Sequence, residues 1–202
     1  MSALQTKTDE KTELKLENLT TGFISPQQVV SEWDIHEGEV VADLGCGGGY
    51  FTIPIARIVG EKGKVFAVDV MEGPMEAVRS KAYLEKLGNI EVIRANLEKR
   101  NSLSKWVKAN SCNFVVLANV LYTSKKKKAI VQEAKRVLAP KGKLVVIDWI
   151  KNVSGVFRNF GPPLDLRIDK KEVRDIITKT GFSFENDFEA GQFHLGMMFK
   201  KK

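Results

Sequence analysis

The feature that most constrains this chain is an alternation. Short, almost continuously apolar runs rich in β-branched residues recur along it, separated by longer segments with helical spacing. The runs are Val40 to Leu44, Lys64 to Asp69, Ile90 to Ala95, Asn113 to Ala118 and Lys143 to Trp149. A strand that is apolar on both faces has to be covered on both. The pattern therefore predicts an α/β fold with one open, doubly wound parallel sheet between two layers of helices. Helices are predicted over about 50–59, 73–87, 103–108 and 125–138, the last closed by Pro140 and Gly142. Ahead of the first strand, Ser25 and Pro26 suit the cap and first position of a short helix that runs to about Trp33.

With 202 residues the chain suffices for one large domain, taken as residues 23–202 after a polar tail over 1–22. Past Trp149 the alternation stops. Residues 151–169 contain Gly155, Gly161, Pro162 and Pro163 and read as a long loop, of the kind that serves as a lid over a substrate. A helix from Lys170 to Thr180, ended by Gly181, precedes two closing strands, Phe182 to Phe188 and His194 to Lys200. At 43% apolar and 28% charged residues, the composition excludes disordered and collagenous classes. Two cysteines, Cys46 and Cys112, are too few for a disulfide scaffold, and with two histidines they suggest no metal centre. A reducing cytoplasm is the expected location. No apolar run approaches the roughly 20 residues of a membrane span, and the first residues are polar where a signal peptide is apolar. Neither secretion nor membrane insertion is expected.

The segment Val40-Val41-Ala42-Asp43-Leu44-Gly45-Cys46-Gly47-Gly48-Gly49-Tyr50-Phe51 carries the functional signal. A strand runs into glycines and then into a helix, which turns backbone N–H groups and a positive helix end toward a ligand. A dinucleotide fingerprint would need glycine where Tyr50 stands, and a phosphate-binding Walker loop would need a following Gly-Lys-Ser or Gly-Lys-Thr. Asp43, just ahead of the glycines, would repel a pyrophosphate and attract an amino group. The next strand ends at Asp69, 20 residues past Gly49, where a carboxylate accepts hydrogen bonds from ribose hydroxyls. Such charge-assisted bonds contribute about 1.5–3 kcal/mol each. The third strand leads into Asn96 and Leu97, an amide for the edge of an adenine and an apolar side chain for its face. The strand ends suit an adenosine with a positively charged amino-acid tail.

On these residues the chain resembles the class I S-adenosylmethionine-dependent methyltransferases. The matching stretches are VADLGCGGGYFT, KVFAVDV, VIRANLE, FVVLANVLY and RVLAPKGKLVVIDW, in the family's order over about residues 25–150. Within the family it is similar to the subgroup of quinone-biosynthesis methyltransferases and other small-molecule enzymes. The resemblance implies a Rossmann-like seven-stranded sheet of order 3-2-1-4-5-7-6 with strand 7 antiparallel. It implies S-adenosyl-L-methionine as cofactor, with Gly45, Gly47 and Gly49 lining its methionine moiety and Asp43 near its amino group. Val70 and Met71 would pack beside the adenosine, and Asn119 with Val120 would lie under the methionyl end. Asn96 departs from the family, which commonly has Asp there; both side chains offer an oxygen to the adenine amino group.

The expected function is methyl transfer to a small or lipid-like acceptor. At the tip of strand four the chain reads Asn119-Val120-Leu121-Tyr122, not the Asn/Asp-Pro-Pro-Tyr/Phe grip on planar amino groups, and no cysteine triplet suggests an arsenite methylase. For an acceptor that loses a proton, Tyr122, Asp148 and His194 are the candidate bases. Cys46 and His36 are expected to have no chemical role. Phe23, Ile24, Tyr122, Trp149, Phe157, Phe160 and Pro162 would give the acceptor a hydrophobic, partly aromatic wall, with Arg158 and Arg167 nearby for an acidic group. One feature points elsewhere. The chain carries +7 in all, and residues 99–147 hold twelve Lys or Arg, among them Lys125 to Lys128, against the one acid Glu133. Ser124 would cap the helix that these lysines begin. The alternative function is therefore methylation of RNA or another macromolecule docked on this basic block, and a third is cofactor binding without transfer.

Overall fold

The apolar runs pair as the alternation requires. A computed structural model describes residues 25–151 and 160–202. Its elements, in chain order, are α1 Pro26–Ser31, β1 Val40–Leu44, α2 Thr52–Val59, β2 Lys64–Asp69, α3 Glu72–Leu84, β3 Ile90–Arg94, β4 Cys112–Ala118, α4 Lys127–Val137, β5 Leu138–Trp149, α5 Lys170–Lys179, β6 Phe182–Phe188 and β7 His194–Lys201. The seven strands make one sheet in the order β3-β2-β1-β4-β5-β7-β6. β1 to β5 run parallel, and β7 is antiparallel to both β5 and β6. Topology and strand directions match those implied by the family resemblance.

Successive residues of a strand point to opposite faces, so the sheet builds two cores. On one face Leu44, Val68, Leu117, Leu144 and Val146 pack with Ile130, Ala134 and Val137 of α4 and with Val173 and Ile177 of α5. On the other, Val41, Val65, Val116, Val145 and Ile147 meet Val29 and Val30 of α1 and Ile55, Ala56 and Val59 of α2. α3 adds Val78 against Ala67 and Cys46. α1, only six residues long, is too short to be stable by itself. It is held by burial, helped by the fully buried Trp33 just past its end, whose ring lies 5.5 Å from Phe51 and 6.0 Å from Phe188. Deleting an aromatic ring of this kind costs about 3–5 kcal/mol.

Four local expectations need correction. Residues 103–108 form turns rather than a helix. Leu103 and Val107 are buried one helical turn apart and produce the helical spacing, but the α-helical bond of this turn, from Val107 N–H to the Leu103 carbonyl at 2.8 Å beside tighter turn bonds such as Trp106 N–H to the same carbonyl at 3.0 Å, is too little to propagate. The fifth strand begins at Leu138 and passes through Pro140 and Gly142, which do not separate it from α4. The ladder shifts register between Cys112 and Phe114, and Lys141 adopts a left-handed φ of 64°, so Pro140 stands in an irregularity where its missing N–H is not needed. Ser25 occupies the cap position of α1 with Pro26 behind it, yet its side chain makes no capping bond. Ser124 does not cap α4 either, because the cap position is taken by Lys126. Its hydroxyl instead accepts the Lys126 N–H at 2.9 Å and donates to Glu98 Oε1 at 2.5 Å. Lys125 and Lys126 thus precede the helix, and Lys127 donates to the Ser124 carbonyl at 3.0 Å.

Of the loop at 151–169, residues 152–159 lie outside the described residues, as do the tail over 1–22, Phe23 and Ile24; Phe157 and Arg158 fall there too. The returning leg is anchored. Ile168 bridges to Ile150 and donates its N–H to the Trp149 carbonyl at 3.0 Å. Arg167, 2% exposed, donates through Nε to the Pro162 carbonyl at 2.9 Å and also to the Phe160 carbonyl. A guanidinium so engaged braces the loop.

Candidate functional site

Where parallel strands end, the loops that follow them diverge and leave a crevice. Beyond the carboxyl ends of β1 to β4 that crevice is a cavity of about 430 Å3, a size usual for small-molecule sites. Gly45 closes it from β1, and Asp69, Val70 and Met71 from β2. Asn96 and Leu97 contribute from the turn after β3, and Asn119 and Val120 from the tip of β4. Eight of the residues singled out in the sequence thus share one wall. Ala95, Glu98, Thr123, Ser124 and Ile130 complete it. Ala95 and Glu98 flank the recognised Asn96-Leu97 pair and could have been added by adjacency. Ile130 enters from the buried face of α4 and leaves no sequence signal of ligand contact.

Asp43, Gly47 and Gly49 stand behind this wall and shape it. The Asp69 carboxylate accepts the Gly47 N–H at 2.9 Å on one oxygen, and the Val70 and Met71 N–H groups at 2.7 and 2.9 Å on the other. It therefore fixes the glycine loop to the end of β2, in addition to facing the cavity. Gly45 has φ +87°, and a Cβ there would stand 2.3 Å from Val120 Cγ2. Only glycine lets the β1 and β4 tips close on each other. Gly49, at φ +82°, similarly admits Val78 of α3. Lys81 braces the loop by donating to the Gly48 carbonyl at 2.7 Å.

Asp43 is 1% exposed. Its Oδ2 accepts the Thr52 hydroxyl at 2.5 Å, while Oδ1 is buried with no hydrogen-bond partner among the described residues. Burial pushes its pKa up to about 6. A buried acceptor without a donor, beside a loop where a Cβ on Gly47 would meet nothing within 4 Å, is what a ligand bearing a cationic amino group would complete. Cys46 in the same loop is buried, and burial raises its thiol well above the usual range, so it is no nucleophile. His36 is exposed beside the Asp34 carboxylate at 3.2 Å, away from the cavity.

The three candidate bases do not form one cluster. Asp148, fully buried in β5, accepts the Leu121 and Tyr122 N–H groups at 2.9 and 3.2 Å on Oδ2, and the Trp149 N–H at 2.9 Å on Oδ1. Burial raises its pKa to about 7. Tyr122, half-buried, has its phenol pushed up by burial and by the Asp148 charge. His194 lies across the sheet from Asp148, because it pairs in register with Trp149 and their rings meet at 4.2 Å. Its ring nitrogens are buried with no partner among the described residues, and burial followed by Arg167 lowers its pKa to about 4. Trp149 is also packed by Phe193, at 6.2 Å, which in turn meets Phe160 at 5.9 Å. Arg167 lies 5.5 Å from the Trp149 ring. Gly161, at φ +77°, touches that ring so closely that a Cβ would come to 2.3 Å.

This geometry can be set against known proteins. The family model for a methyltransferase domain matches residues 35–181. The chain belongs to the methyltransferase-domain family. Its methyltransferase domain is of the S-adenosylmethionine-dependent kind, and the solved structure of a SAM-dependent methyltransferase from Aquifex aeolicus superposes with a TM-score of 0.79 at 28% identity, over 90% of this chain and 92% of that one. Among curated sequences, a ubiquinone/menaquinone biosynthesis C-methyltransferase of Shewanella sp. (strain ANA-3) is 28% identical over 158 residues, 78% of this chain and 61% of the relative. The enzyme of the same description from Haemophilus ducreyi is 32% identical over 120 residues, 59% of this chain and 44% of its own. The methyltransferase domain thus spans about three-fifths, or less, of the length of these curated relatives. No helix among the described residues is long and apolar enough to cross a membrane.

Proposed function

We propose that the chain, as one domain over 23–202, transfers the methyl group of S-adenosyl-L-methionine to a small, lipid-like acceptor that is hydrophobic or aromatic. The observation that carries the acceptor class is the aromatic cluster at the end of β5, where half-buried Trp149 and Phe160 flank the fully buried Phe193 beside His194. Curated relatives described as ubiquinone/menaquinone biosynthesis C-methyltransferases support an acceptor of that kind. Two free, buried thiols, Cys46 and Cys112, accord with a reducing cytoplasm.

In this reading Asp69 accepts the ribose hydroxyls on lone pairs left beside its three backbone donors. Asn96, whose Oδ1 already takes the Glu98 N–H at 2.9 Å, turns its amide to the adenine edge while Leu97, Val70 and Met71 cover the ring. Gly45, Gly47 and Gly49 leave room for the methionine moiety, Asp43 neutralises its amino group, and Asn119 with Val120 supports it from below. The cofactor supplies a methyl group on a cationic sulfur whose leaving group departs neutral. No general acid is then required, and orientation alone accounts for about 7–11 kcal/mol in well-aligned systems. For an acceptor that loses a proton, His194, neutral and beside Trp149, is the candidate base, while the Tyr122 phenol, held in its protonated form, offers a hydrogen bond.

RNA methylation is the second reading, and one observation favours it. Segment 98–107 runs alongside α4, tied to it by Leu103 to Glu133 and Val107 to Arg136, and to the turn ahead of it by Glu98 to Ser124. This sets exposed Lys99, Arg100, Lys105 and Trp106 on the flank that also bears exposed Lys125, Lys126 and Lys128. Calorimetry tests the donor half directly. S-adenosylmethionine and its demethylated product should bind and NAD should not; tight NAD binding would refute it.

A further inference from the structure

The methyl-transfer reading leaves one buried carboxylate without a part in the chemistry. Asp148 is enclosed in β5, yet both its oxygens are taken up by main-chain donors, and two of these, Leu121 and Tyr122, lie 27 and 26 residues earlier in the chain. They belong to the irregular segment at the tip of β4, where Asn119 holds a left-handed φ of 57° and its N–H is tied to the Ile147 carbonyl at 2.8 Å. Between those two attachments sits Val120, the residue that meets Gly45 and lines the cavity. The tip is thus suspended from β5 at both ends, by one carbonyl and one carboxylate. A tip hung on backbone alone would leave the Leu121 and Tyr122 N–H groups buried without acceptors.

We propose that Asp148 is a positioning residue, which by clamping Leu121 and Tyr122 presses Val120 against Gly45 and so sets the methionyl end of the cofactor cavity while presenting Tyr122 to the acceptor. The inference rests on the placement of the methionine moiety over Gly45 and Val120. Asp148 acts through the main chain and touches neither substrate nor cofactor. It holds the tip best as a carboxylate, since protonation removes the charge that strengthens its three main-chain hydrogen bonds. Burial pushes its pKa up to about 7. The groups that face it are Lys127 of α4, which favours the charge, and Tyr122 itself.

The test is a double-mutant cycle read by calorimetric binding of S-adenosylhomocysteine at pH 8, with Asp148→Asn and Val120→Ala. Asp148→Asn should weaken binding by about tenfold, the scale of a weakened charge-assisted hydrogen bond, Val120→Ala should weaken it through lost packing against Gly45, and the double variant should be no weaker than the weaker single one. Wild-type affinity in Asp148→Asn, or losses that add in full, would overturn the proposal. The pH profile is the second readout and needs no variant. Wild-type affinity should fall as pH drops through about 7, and where Asp148→Asn folds it should lose that step and keep the lower one from Asp43 near pH 6. A flat wild-type profile between pH 6 and 8 would overturn it. Absence of any S-adenosylhomocysteine binding to the wild type would instead refute the donor site itself.

Discussion

Asp69 is the residue on which the donor site turns twice, because it receives three backbone donors from the loops at its own cavity and is the acceptor proposed for the ribose. Asp69→Ala should therefore weaken S-adenosylhomocysteine binding by tenfold or more, two separate interactions being lost; calorimetry giving the wild-type constant would contradict this. The buried carboxylates make a second prediction. Asp148 holds its proton up to about pH 7 in the folded chain, against an ordinary value of 3.8, so across that interval the folded state carries more protons than the unfolded one. Stability contributed by this group is therefore present below pH 4 and is lost as pH rises toward 7. Asparagine cannot ionise. The melting temperature of Asp148→Asn should accordingly gain on the wild type between pH 5 and pH 8, and a gap independent of pH would refute the assignment.

At the scale of elements, the returning leg of the 151–169 loop tests whether the end of β5 receives the acceptor. Arg167→Met removes the brace on the Phe160 and Pro162 carbonyls, and none of these three residues lines the donor cavity. Methyl transfer should drop while S-adenosylhomocysteine still binds with wild-type affinity; unchanged transfer would show that the loop does not shape the acceptor site. Elements also mark what could be read in the sequence. Strands buried along most of their length betray themselves by composition, which makes β1, β2, β4, β5 and β7 legible; the more exposed β3 and β6 show through their spaced apolar residues, and Asp69, Asn96 and Asn119 through their place at strand ends. Residues 103–108 are not legible, since two buried side chains one turn apart mimic a helix when only their packing is helical. The Pro140-Gly142 irregularity reads locally as a helix stop, because its cause is a register shift against Cys112, far away in the chain. The same distance hides the Asp148 clamp, for hydrogen bonds between a side chain and remote backbone leave no periodicity.

For the molecule as a whole, the uneven charge separates the two acceptor classes. If the basic flank serves only to keep the protein solvated, replacing Lys125, Lys126 and Lys128 by Gln should leave turnover on a small acceptor unchanged, and the three side chains, exposed in the structure, should cost little stability. RNA binding that weakens with these replacements, its salt dependence flattening by roughly 0.7–0.9 slope units per lost phosphate contact, would favour the macromolecular reading. The seven-stranded architecture itself does not choose, since one fold hosts many chemistries and the acceptor is selected by what surrounds the sulfonium. The most direct test supplies the protein with methyl-labelled S-adenosylmethionine and a cell extract divided into organic-soluble, nucleic-acid and protein fractions. Label should appear in the organic-soluble fraction and should require an intact Asp69; label confined to the nucleic-acid or protein fraction, or to none, would contradict a methyltransferase for small lipid-like acceptors.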